Sequence, residues 1–102
     1  MREKTNIRVR VPQVRSVEDA IRLYYEKNEL SNSDIKMLFD VHSSATIAKL
    51  KNLARERMAA ENVPVWDARN INTKTAYLVW GLQIEDLEHR LKKLKELQSM
   101  TA

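Results

Sequence analysis

Punctuation is nearly absent from this chain, which has one glycine, Gly81, and two prolines, Pro12 and Pro64. Glycine is the default residue where the backbone must turn through positive φ, and sheet-rich folds need many such turns. So few joints predict a mainly α-helical protein whose elements change direction at a handful of places.

The pattern of apolar residues fits that expectation. Ser16 opens a first helix, about residues 17–28, with Asp19 as a short capping-box partner and Val17, Ala20, Ile21, Tyr24 and Tyr25 on one stripe. Ser31 or Ser33 caps a second, residues 33–39, burying Ile35, Leu38 and Phe39. After a turn at 40–43, Ser43 or Ser44 starts a third helix of residues 44–60. Its core stripe is Ile47, Leu50, Ala54 and Met58, with Leu53 at the margin. Its other side carries Ala45, Ala48, Lys49, Asn52, Arg55 and Glu56, which are small, polar and mainly basic. Val63 to Trp66 reads as extended, because proline biases the residue before it away from helix. Asn72 or Thr73 caps a further run, which Gly81 should divide into a short helix 73–80 and a final one of about 83–98.

Two regions depart from this scheme or add to it. At residues 5–11, Ile7, Val9 and Val11 alternate with Arg8 and Arg10, a period of two that predicts a short strand or arm stopped by Pro12. Near the other end, Tyr77, Trp80, Ile84, Leu87, Leu91 and Leu94 keep the three-four spacing of a coiled-coil seam. Such a seam either joins two copies of the chain or folds back on its own domain. The expected organisation is therefore a basic arm 1–15, a helical domain 16–66 and a dimerising helical segment 67–102.

Charge narrows the choice of partner. The net charge is +4, with five basic groups against one acidic in residues 1–15 and four against one in residues 41–58. Residues 59–102 balance at six each. Two basic patches attract polyanions, of which nucleic acid is the commonest for a small domain. Cysteine is absent, which excludes disulfides, thiolate metal sites and thiol catalysis, and fits a cytoplasmic protein. No apolar run approaches the roughly 20 residues of a membrane span. His42 and His89 have no ligand spacing such as HExxH, the single glycine excludes a P-loop, and no serine has a base beside it. The sequence thus predicts no enzyme, no metal, no cofactor and no small-molecule ligand. Trp66, Tyr77 and Trp80 are expected in the core or a dimer contact rather than as stacking platforms, since their neighbours are apolar.

A short support helix, a tight turn and a helix opening with small and polar side chains occur in that order in LSNSDIKMLFDVHSSATIAKLKNLARER, residues 30–57. This stretch resembles the helix-turn-helix DNA-binding families, in particular small regulators of phages and mobile elements of Gram-positive bacteria. Asp40 stands where the family usually has glycine, and the turn is one residue longer. The resemblance implies double-stranded DNA as partner, a homodimer, and transcription or replication control. Carried over, it sets Ser44, Ala45, Lys49 and Asn52 toward the major groove and Ser43, Lys51 and Arg55 toward phosphate. Arg8 and Arg10 would touch phosphate or the minor groove. Two alternatives stay open: a ribbon-helix-helix binder, which NIRVRVP followed by a helix also resembles, and a protein-interaction adaptor using the basic face and the leucine seam.

Overall fold

A computed structural model describes residues 11–101, and within them the chain is mainly helical. The elements run α1 (Val17–Glu26), β1 (Glu29–Leu30), α2 (Asn32–Phe39), α3 (Ser44–Glu61), β2 (Ile71–Asn72), α4 (Thr73–Trp80) and α5 (Ile84–Thr101). The expected strand at 5–11, with Arg8 and Arg10, lies outside the described residues apart from Val11.

Helices α1 to α4 each start where a short polar side chain takes up a free amide of the first turn. Ser16 accepts from the Asp19 amide at 3.2 Å. Ser31 accepts from the Asp34 amide while the Asp34 carboxylate accepts from the Ser31 amide, a full capping box. Ser43 does the same for Thr46, and Asn72 for Thr75. Helices α2, α3 and α4 stop at left-handed residues, Asp40 (φ 53°), Asn62 (φ 57°) and Gly81 (φ 75°), whereas α1 ends at Lys27 in extended backbone. Asp and Asn are the non-glycine residues that enter this region most readily. Asp40 therefore makes, without glycine, the sharp exit from α2 that the turn at 40–43 requires. A Cβ on Gly81 would meet nothing within 4 Å, so its backbone angle, not lack of space, calls for glycine there.

The small sheet is a feature that periodicity did not predict. Leu30 pairs with Ile71 and Glu29 with Asn72, antiparallel, and both apolar partners are fully buried. Strands of two residues are too short to display an alternation. Their pairing extends through the Thr73 amide, which donates to the Asn28 carbonyl at 2.9 Å.

One core draws on all five helices, from Ala20 and Leu23 through Ile35, Leu50 and Ala54 to Tyr77, Trp80 and Leu87. Its aromatic centre has directional bonds as well as contact. Phe39 and Trp80 meet edge to face at 5.1 Å, and the Trp80 indole N–H donates to the Leu50 carbonyl at 3.0 Å. The Tyr77 hydroxyl donates to the Ala20 carbonyl at 2.6 Å, and burial pushes its pKa far above the ordinary tyrosine value.

These contacts correct the reading of the carboxy-terminal seam. Tyr77, Trp80 and Leu87 are buried within their own chain, and Ile84 packs partly against the same core. Leu91 is half-buried and lines a groove with Ile21 of α1. Only beyond it does the stripe leave the domain, at Leu94, Leu97 and Met100, which are exposed. A three-four spacing specifies a buried face but not whose core it enters. Among the described residues no helix is long and apolar enough to cross a membrane.

Candidate nucleic-acid interface

The turn at 40–43 and the Ser43 cap fix how α3 leaves α2. The helix then buries Ile47, Leu50, Ala54 and Met58 on one side. At 3.6 residues per turn the opposite side carries Ser44, Ala45, Ala48, Lys49, Asn52, Arg55 and Glu56, all exposed. The groove residues carried over from the resemblance, Ser44, Ala45, Lys49 and Asn52, are thus brought together on the first turns of α3. Ser43 is exposed beside them, and the bond its oxygen accepts from Thr46 leaves the hydroxyl hydrogen to donate elsewhere. His42 is an exposed turn residue with Nε2 3.6 Å from the Asp40 carboxylate.

Lys51 is a correction. Its residue type suggested a phosphate contact, yet the side chain is buried, 7% exposed. Its ammonium donates to Asn32 Oδ1 at 2.9 Å and to the Arg69 carbonyl, clamping α2, α3 and the following loop together. Burial, and then the nearby charge of Arg55, lower its pKa from the ordinary lysine value. The spacing already held this answer: Lys51 lies four residues after Ile47 and three before Ala54, on the core stripe. Lys51→Ala should therefore cost about 1–3 kcal/mol through the acceptors it abandons, read as a lower urea midpoint. It should leave the salt dependence of polyanion binding unaltered.

Arg55 is exposed but not idle, because Nη2 donates to the carbonyls of Ala68 and Arg69, both at 3.2 Å. It belongs at least as much to loop 63–70 as to any phosphate. That loop, which the sequence marks only as an extended segment at Val63 to Trp66, is held from a third direction by Glu29 of β1. The Glu29 carboxylate accepts from the amides of Trp66 and Asp67 and from the Asn70 side chain. Asp67 and Arg69 close it from within by a two-pronged ion pair, Nη2 to Oδ2 at 2.8 Å and Nε to Oδ1 at 3.1 Å.

Trp66, expected in a core or dimer contact, is 97% exposed at this loop. A signal existed in the extended segment, where Val63 and Val65 are half-buried and Pro64 and Trp66 face water. Period two sends the tryptophan outward.

The Arg69 pairing holds the Asp67 carboxyl down at about 2. A carboxylate whose folded value lies below its unfolded one, about 3.9, steadies the loop fully above that value. The contribution is lost as pH falls toward the folded value. Tryptophan fluorescence anisotropy should accordingly drop between about pH 4 and pH 2, with a Trp66→Phe chain as the reference that lacks the signal.

Among the described residues no group of three His, Asp or Glu side chains is placed to hold a metal. No protein-family model, curated protein or solved structure matches the chain.

Proposed function

We propose that the chain binds double-stranded DNA through α3, as a helix-turn-helix regulator of transcription or replication. Its assignment to a phage or mobile element rests on the resemblance of residues 30–57 alone. The observation that carries the DNA reading is the clustering of exposed Ser44, Ala45, Lys49 and Asn52 on the first turns of α3, directly after a tight, capped turn. Small residues let a helix approach base edges, asparagine can hold adenine through two hydrogen bonds, and lysine can donate to guanine. The left-handed Asp40 supports the same reading, since it supplies the backbone angle at the glycine position of the family.

In this reading Lys51 and Arg55 steady the interface rather than neutralise phosphate. The homodimer contact moves to the exposed end of α5, at Leu94, Leu97 and Met100. That exposed stripe equally favours the adaptor reading, in which a partner helix covers it. The ribbon-helix-helix alternative loses ground, because α2 ends at Asp40 where that resemblance wants one continuous helix.

Titration of the chain against random duplex at several salt concentrations separates the two main readings. A DNA reader gives weak affinity that falls by about 0.9 log unit per log unit of salt for each phosphate contacted. Absence of any salt-dependent duplex binding would reject the proposal. Selection of bound sequences from a random pool then supplies the site.

A further inference from the structure

We infer that loop 63–70 is a second DNA contact, which sets the Trp66 ring against the deoxyribose and base edges beside the groove that α3 occupies. The inference rests on the DNA-binding reading of α3 and extends it to a surface outside the helix pair.

Three observations meet here. The first is exposure: Trp66 leaves almost its whole surface in water, while the chain's other tryptophan, Trp80, is buried. Tryptophan carries one of the largest apolar surfaces of any side chain and is enriched at interfaces, so a ring held outside the core is available to a partner.

The second is rigidity. A floppy loop would fold its tryptophan onto the nearest apolar surface, but this one is tied to β1 by Glu29 and to α3 by Lys51 and Arg55, and is closed internally by Asp67 and Arg69. Ordering has therefore been completed before binding, which lowers the entropy lost on contact. The Glu29 bond is made to the Trp66 amide itself, so the anchor acts at the residue that carries the ring.

The third is position and charge. The bonds from Lys51 and Arg55 reach Ala68 and Arg69, which sets the loop along the Arg55 flank of α3, next to the face that carries Asn52. Three cations, Lys51, Arg55 and Arg69, meet two carboxylates, Glu29 and Asp67, in this cluster. Both carboxylates are occupied by N–H donors and the cluster keeps one net positive charge, so the surface offered to a polyanion is a weakly cationic one: the exposed Arg69–Asp67 pair and an uncharged aromatic ring. Apolar side chains inserted at base steps, flanked by arginine, are a recurring way of holding a duplex.

The test is a duplex titration of three chains: wild type, Trp66→Ala and Trp66→Phe. Because the ring is exposed, all three should melt together. The wild type should bind duplex and lose tryptophan fluorescence on binding. Trp66→Ala should bind roughly tenfold more weakly, the scale of one aromatic contact with a base, and Trp66→Phe should recover most of that loss. The Trp66→Phe chain retains only Trp80, so disappearance of the quench there assigns the signal to Trp66. If all three chains bind duplex alike and the wild type shows no quench, the loop inference is overturned while the role of α3 stands. If the wild type binds no duplex, both are overturned, and a tryptophan so exposed belongs to a protein partner.

Discussion

Replacing Trp80 by alanine is expected to remove about 3–5 kcal/mol of folding stability, a large share of the 5–15 kcal/mol available to a typical domain. The side chain is 5% exposed and closes the space among Phe39, Tyr77 and Leu50. Its loss leaves a cavity, and it also strips the Leu50 carbonyl of the indole N–H it accepts at 3.0 Å. Chemical denaturation with urea reads the result as a lower midpoint at nearly unchanged slope. The same experiment decides whose core this is. Were Trp80 packed between two chains, the wild-type midpoint would climb with protein concentration, because association stabilises by mass action. In a Leu94→Asp chain, which lacks the proposed contact between copies at the end of α5, a core within one chain predicts a midpoint that does not move over a hundredfold dilution. Leu87→Asp should behave like Trp80→Ala, whereas Leu94→Asp, at an exposed position further along α5, should spare the chain's own core and remove only the concentration-dependent part of the midpoint.

What was legible in the sequence and what was not divides along a physical line. Caps and breaks are local chemistry, so Ser16, Ser43 and Gly81 announce their helix ends without reference to the rest of the chain. The residues that assemble α3's exposed face were equally readable, because a 3.6-residue period assigns faces once the core stripe is found. Three features needed tertiary information. The β1–β2 pairing joins two dipeptides distant in the chain, and neither has a pattern of its own. The seam Tyr77, Trp80, Leu87 has the correct spacing for a buried face, but its partner is α1 to α3 of the same chain, a fact that spacing does not encode. Lys51 was misread because its charge outweighed its phase: the amino group reaches a carbonyl and an amide oxygen from a core position. Long lysine stems allow this, since the alkyl portion packs while the head finds polar partners.

Lys51 and Arg55 both reach into loop 63–70, which narrows what α3 does on DNA in the proposed function. With both side chains engaged in holding loop 63–70, neither is left to neutralise phosphate in the proposed function, and base choice stays with the groove set of Ser44, Ala45, Lys49 and Asn52. Asn52→Ala should lower affinity for the selected duplex by about 1–3 kcal/mol and relax the preference at one base pair, while affinity for random duplex hardly changes. Lys49→Ala, which removes a charge, should weaken both and flatten the salt slope. Neither change touches the core: both positions are exposed and alanine is the best helix former, so melting should stay level or rise slightly. That separation matters, because a loss of binding in an unfolded chain says nothing about the interface. Arg55→Ala makes the contrast. It releases the Ala68 and Arg69 carbonyls, so its effect on DNA should track the mobility of the loop, and should largely vanish in a chain that also carries Trp66→Ala. A folded Lys49→Ala, Asn52→Ala chain that selects the same sequences with the same affinity as the wild type would take α3 out of the groove.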